Sequence, residues 1–522
     1  MSLFSMNHGR ARVFLALIGG ALACAVLVSG CGDNYRPVVT PAYTNGPPPQ
    51  PSSYLVAVST TSPTAPGIVT IIDYSGDSIM TEAPIGPGPK VFTIDAIGAN
   101  GYTVNSDGTL SNFGITTSLQ AKNVLTSTLP PTALPVNLMS PNAGLWVTDL
   151  NDDVVDLFTG SPQSFKLAIP IATADSPATM PVMVIGASAS TGQRDYVLSQ
   201  NVPDTPLDTE AVACNNPANF AGAPAGSATP IEISSDTTDP AIATGKCPVY
   251  AIQTPDLQRL FILNRGDDTI TVINSRINKL DSCTPFQNQN GQWVTCHPTI
   301  QLPPGSGPVY AEFNVATQQL IVANYDGGSI SVVNAALDEY GNDANTYTTN
   351  NCTTYAACGA VTGGFGTVRT IPVGSTGTPN PASVTVLYDG SKAYTANQND
   401  DSGSGNGTVT VVNLSTYTVE KTLTVVGHPR TIVSTQNSEF SKIYVASPDS
   451  PFITIIQSTP TVTDLIDTTV LLEGHVVDVR ATTQSGSSGN SIYFSRVPGY
   501  GQPCNLPGAA QYGSLTQCQA TP

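Results

Sequence analysis

Residues 260–274 read LFILNRGDDTITVIN, and residues 320–334 read LIVANYDGGSISVVN. Each is a short apolar run ending in Asn (Asn264, Asn324), a turn rich in Gly and Asp, and a second run of Ile, Val, Thr and Ser in partial alternation. Two half-buried strands joined by a tight hairpin have this pattern, because Gly and Asp accept the backbone geometry that the turn needs. Working outward, similar first runs end at Ser59, Asn105, Asp149, Ser199, Asn397, Ser447 and Ser495. Second runs such as IVTIID (68–73), VTVVN (409–413) and ITIIQ (453–457) follow all but the last. A third strand then leads to a Gly or Pro corner, as in VRTIPVG (368–374), and a fourth continues toward the next set, as in VYAEFNV (309–315).

Successive first runs end 44 to 73 residues apart. Short strands repeating at this interval predict an all-β chain built as a β-propeller of four-stranded blades. Eight sets can be counted, which gives eight blades if the last fourth-type strand, near Val476 to Arg480, closes on the blade begun at Tyr54. The run at 491–495 is then surplus.

The segments 260–274, 320–334 and 393–429 resemble the YVTN-type β-propeller family, and the resemblance extends over residues 54 to 500. That family is known from surface-layer proteins and from lactonase-like and amine-dehydrogenase-like propellers, so the resemblance implies a fold and not one activity. The family norm of seven blades is the alternative to eight.

Composition sets the location. Charged residues are 11% of the chain, too few for long solvent-exposed helices, while 46 Gly and 43 Pro suit a turn-rich fold. The net charge of −18, with no Lys/Arg cluster, argues against nucleic acid and against electrostatic docking on anionic lipid. Arg10 and Arg12 precede an uncharged stretch at 13–28, short for a membrane span and right for a signal-peptide core. It ends Leu27-Val28-Ser29-Gly30-Cys31, which resembles the bacterial lipobox and implies acylation of Cys31. Gly32 follows Cys31, so the inner-membrane retention aspartate is absent at that position and the outer membrane is expected. The domain reading is therefore a signal peptide over 1–30, a Pro-rich tether over 31–53, the propeller over 54–500 and a tail over 501–522.

Eight cysteines remain past Cys31, an even count that reads as disulfides after an export signal. Position suggests Cys214–Cys247, Cys283–Cys296, Cys352–Cys358 and Cys504–Cys518, each pair within one insertion or the tail. Metal chemistry is disfavoured, since no CxxC spacing occurs and histidines are scarce.

Candidate chemistry is thin. His428 and His475 occupy one corner in consecutive repeats, which points to a structural task, and His297 is expected to be exposed. The acidic clusters at 149–153, 267–268 and 399–401 could hold Ca²⁺, but they lie in hairpins where turns favour Asp and Asn anyway. Asn105, Asp149, Asn264, Asn324 and Asn397 share one place in the repeat and are expected to ring one mouth of the central channel as a polar binding site. The insertion at 335–366 has no Lys or Arg and presents Tyr340, Tyr347 and Tyr355 among Asn, Thr and Gly, the composition of binding loops. No catalytic residue, metal site or cofactor is expected. Two functions remain: an envelope-bound binding or scaffold module for a protein or glycan partner, or a lactonase-like or quinoprotein-dehydrogenase-like enzyme with its site at the channel mouth.

Overall fold

The computed structural model describes residues 53–482, except 96–97, 116–123, 141–143, 174–175, 177, 187–193, 203–213, 215–216, 255–257, 283–285, 288–292, 295–296, 337–364, 376, 401–404, 437–439 and 459–462. Eight antiparallel sheets form eight blades. Their inner strands are His475–Ala481 (blade 1), Pro89–Ile94 (2), Pro135–Met139 (3), Pro181–Gly186 (4), Pro248–Gln253 (5), Pro308–Asn314 (6), Pro381–Val386 (7) and Thr431–Ser434 (8). Each inner strand touches the inner strand of the next blade, and blade 8 touches blade 1, so the ring is closed.

Closure is made by the two ends of the described chain. Blade 1 takes its outer three strands, Tyr54–Thr60, Pro66–Asp73 and Ser78–Pro87, from the beginning, and its inner strand, His475–Ala481, from the end. Val58 pairs with Asp478, and Tyr54 N donates to Thr482 Oγ1 at 2.8 Å. The eight-blade count and this closure are as expected from the repeats. The surplus run at 491–495 lies outside the described residues.

Blades stack face to face, so the second and third strands are buried on both faces, as in Tyr54–Thr60, Leu260 to Asn264 and Thr408 to Val412. Val, Ile and Thr fill such positions because branched side chains pack well on a pleated surface. Six inner strands begin with Pro, paired across to the last residue of the second strand, and a register shift follows each one. Proline fits there because the inner strand is an edge and no ladder donor is lost. The outer strands are edges too. In four blades they carry a one-residue bulge, at Met80, Lys166, Glu420 and Asp467. Bulges and charges of this kind blunt an edge against pairing with other chains.

Insertions follow the same frame. In blade 5 the outer edge is split into Lys279–Leu280 and Thr299–Gln301, with the segment holding Cys283 and Cys296 between them. The bridge Cys214–Cys247 is present, with Cα atoms 5.3 Å apart. It ties the segment after the second strand of blade 4 to the residue before the inner strand of blade 5. Cys31, Cys283, Cys296, Cys352, Cys358, Cys504 and Cys518 lie outside the described residues. Among the described residues, no helix is long and apolar enough to cross a membrane.

Candidate functional site: the inner ring and the hairpin face

Inner strands have one edge without a neighbouring strand, and side chains of adjacent blades satisfy part of it. Asn137 Oδ1 of blade 3 accepts from Val184 N of blade 4 at 3.1 Å. Glu312 Oε1 of blade 6 accepts from Val386 N of blade 7 at 3.1 Å and from Gln436 Nε2 at 3.0 Å. Thr385 Oγ1 of blade 7 accepts from Ser434 N of blade 8 at 3.1 Å. Arg430 Nη2 donates to Val477 O of blade 1 at 2.6 Å. A buried backbone donor left unpaired costs about as much as a lost hydrogen bond, so these contacts serve the ring itself.

The inner strands also hold Arg480, bound to Asp478 at 3.1 Å, and Tyr250 tilted against Tyr310 with ring centroids 4.7 Å apart. All four are buried, as is Glu312. Burial pushes both phenols far above their ordinary range, so they stay neutral. The inner strands thus carry buried polar and aromatic side chains, among them the contacting pairs Arg480–Asp478 and Tyr250–Tyr310.

Asn105, Asp149, Asn264, Asn324 and Asn397 do occupy equivalent positions around the ring. The structure places them at the ends of second strands, one strand outside the inner ring, and all are buried. Their amides serve their own hairpins. Nδ2 of Asn264 donates to Thr269 and Thr271 at 3.0 and 2.8 Å, and Nδ2 of Asn324 to Ser329 and Ser331 at 3.0 and 2.9 Å. Asn105 and Asn397 repeat the pair of bonds with Thr109 and Ser111, and with Thr408 and Thr410. Each amide therefore pins the second strand to the third at the turn. In Asn105 and Asn397 the carbonyl oxygen also accepts from a threonine two residues back, Thr103 or Thr395. Asn264 and Asn324 have Ile262 and Val322 there, and their carbonyl oxygens are unpartnered among the described residues. Asn324→Ala is expected to cost about 1–3 kcal/mol by leaving the Ser329 hydroxyl without its amide and cutting the Asn324–Ser331 bond, while Ser331 keeps Thr370 at 3.1 Å, as urea unfolding would measure.

The acidic hairpin clusters cap the corners of neighbouring elements. Asp268 accepts from Gly305 N and Gly307 N, both at 2.7 Å. Asp153 accepts from Met180 N at 2.7 Å, Asp267 from Lys246 N at 3.0 Å and Asp400 from Ser375 N at 2.7 Å. Asp401 lies outside the described residues. The corners need such caps because the residue before the inner-strand proline turns to positive φ. Met180, Cys247, Gly307 and Asn380 have φ of 55, 52, 53 and 50°. At Gly307 a Cβ would also fall 1.9 Å from Asp326 Oδ2, a carboxylate held by Arg265 at 2.9 and 2.8 Å.

His428 stands at the same corner of blade 8. Its N and Nδ1 lie 2.8 and 2.7 Å from the two oxygens of Asp449. Burial works to raise the Asp449 carboxyl, but the bonds from His428 hold it below its ordinary value. His475 is the first residue of the inner strand of blade 1, paired with Thr60, and its Nδ1 is buried without a partner among the described residues. His297 is not exposed: it is half-buried and lies 5.6 Å from the ring of Phe365, because the end of the 335–366 insertion packs back on blade 5. Tyr340, Tyr347 and Tyr355 lie outside the described residues. Among the described residues no three His, Cys, Asp or Glu side chains are placed to hold a metal.

No family model matches this chain, and no curated protein matches it. Its fold is similar to solved structures. The dihydro-heme d1 dehydrogenase NirN, in complex with DHE, superposes with a TM-score of 0.53 at 13% identity, covering 86% of this chain and 79% of that one. Apo AztD from Citrobacter koseri gives 0.51 at 12% identity, covering 82% and 97%. The periplasmic gluconolactonase PpgL from Pseudomonas aeruginosa gives 0.44 at 13%, covering 82% and 99%. At such identities the likeness to NirN and AztD is one of fold alone.

Proposed function

We propose that this chain is a cell-envelope lipoprotein of YVTN-type propeller architecture, acting as a binding or scaffold module for a protein or glycan partner at the outer membrane. The observation that carries this reading is where the polar side chains of the ring and hairpin face are engaged. Asp153, Asp267, Asp268, Asp400 and Glu312 each accept from the backbone of a neighbouring element, and the repeated asparagines pin their own hairpins. Groups held this way stiffen a platform; catalysis would need them free to exchange protons with a substrate. Recognition then falls to the insertions, where loops on a rigid scaffold can vary without disturbing the fold. The loop at 335–366, with Tyr340, Tyr347 and Tyr355, is the preferred contact.

Two experiments test this. Deleting residues 342–363 from the exported protein should abolish recovery of its partner from envelope extract. Unchanged recovery by a folded variant rules the loop out, and turnover of a lactone by the purified soluble part would move the reading to an enzyme. Cys31→Ser should shift the protein from the membrane to the soluble fraction, since a single acyl signal is marginal and stable anchoring needs at least two. Retention of the variant in the detergent phase would remove the lipid anchor from the proposal.

A further inference from the structure

Blade 3 replaces the pinning amide with an acid. Asp149 pairs across to Pro135 as Asn264 pairs to Pro248, so it stands in the asparagine position. Asp156 pairs to Val147 as Thr271 pairs to Ile262, so it stands in the hydroxyl position. In blades 2, 5, 6 and 7 these two positions are joined by an N–H···O bond of 2.8–2.9 Å. Here both positions hold carboxyls on one face of the paired strands, both are buried, and the charge of Asp149 acts on Asp156. Asp149 Oδ1 is occupied by Leu134 N and Asn151 N, but Oδ2 of Asp149 and Oδ2 of Asp156 have no partner. Two buried carboxylates on neighbouring positions of one face cannot both be ionised without a large penalty, whereas one shared proton would turn the repulsion into a hydrogen bond.

We propose that Asp149 and Asp156 share one proton between the second and third strands of blade 3, so that this blade is locked by acid and loosens as pH rises toward neutrality. Burial, then the charges of Asp149 and Asp152, push Asp156 up to about 7, and burial also raises Asp149. Among the described residues, no cation acts on either carboxyl. In the hairpin, Asp152 is bound by Thr132 Oγ1 and Asp153 by Met180 N. On the outer strand Ser164–Pro170 the charged group is Lys166, which is paired with Asp236 at 2.6 Å. The inner strands Pro135–Met139 and Pro181–Gly186 carry no ionisable side chain. Because Asp153 also caps the entry to blade 4, loosening the hairpin is transmitted to the seam between blades 3 and 4.

The sign follows from linkage. An opened seam exposes carboxyls that titrate near ~4, while the closed seam keeps its proton to about 7. Between those values opening releases a proton, so the opening equilibrium rises roughly tenfold per pH unit and then levels off. Asp195 of blade 4, buried with both oxygens unpartnered and pushed up to about 7 by burial, adds a global dependence of the same sign. The readout must therefore be local.

Hydrogen exchange on the full chain from pH 5 to 8, expressed as protection factors, provides it. Amides of Leu145–Asp149 and Val154–Thr159 should lose at least tenfold protection between pH 5 and 7 and then plateau, while Lys392–Asn397 and Thr408–Asn413 of blade 7 should not. Asp149→Asn restores the repeat's amide donor and should abolish the local fall. Asp156→Thr, the residue at this position in blades 5 and 7, should do the same. Flat protection in the wild type, or an undiminished fall in both variants, overturns the proposal. So does protection restored at pH 8 by Na⁺ or Ca²⁺, because the pair would then hold a cation instead of a proton.

Discussion

Asp281→Ala is expected to destabilise the protein by about 3–5 kcal/mol, the usual cost of removing one partner from a buried ion pair. Asp281 Oδ1 lies 2.9 Å from Arg259 Nε, and the side chains are 2% and 1% exposed. Arg259 opens the second strand of blade 5 and Asp281 follows the short outer piece Lys279–Leu280, so the pair joins that blade's inner half to its outer edge where the chain departs into an insertion. The alanine would leave the buried Arg259 guanidinium without the Asp281 carboxylate. Denaturant unfolding checks this directly. A loss under 1 kcal/mol would mean that Arg259 finds solvent or another acceptor when Asp281 is gone. Arg259→Met with Asp281→Leu should recover much of the loss, since a well-packed apolar pair can equal a buried ion pair.

Cys214→Ser with Cys247→Ser should cost about 4 kcal/mol by the loop-entropy estimate for the bridged positions, which are 33 residues apart in sequence. The effect should concentrate at the start of blade 5. Cys247 sits at the positive-φ corner, with φ of 52°, directly before Pro248, so the bridge holds strained backbone in place as well as restricting the unfolded chain. Comparing the double variant with the parent by urea unfolding, with proteolysis mapping cleavage near 214–247, tests both parts. Equal midpoints would show that the insertion contributes nothing to the stability of the ring.

The architecture was legible because strand, turn and corner chemistry recur in register. Asn264 and Asn324 with their Gly and Asp turns mark the hairpins, and the run around Val476 to Arg480 supplies the partner that Tyr54–Thr60 needs. Radial position was not legible. A repeat says which residues share a circle but not how far that circle lies from the axis, and the asparagines fall one strand outside the ring where a ligand site was expected. A usable signal existed: Thr or Ser stands five and seven residues after Asn264 and Asn324, as hydroxyls placed to receive an amide. The same signal marks blade 3, where Asp156 replaces the hydroxyl. The polar contacts of the inner ring left no such trace, because Asn137, Glu312 and Thr385 bond across blades far apart in sequence and follow no shared motif.

The closure of blade 1 sets an order on the birth of the molecule. Tyr54 emerges early and its partner Thr482 comes 428 residues later. At roughly 5–20 residues per second that interval is about 20–90 s. Throughout it the first three strands present an unmatched edge, and no partial chain can complete the circle. A chain of this design must be shielded from self-association while it waits, so its demand on holding chaperones falls on the interval before the last strand arrives, and a nonsense truncation near the end would be as damaging as one in the middle.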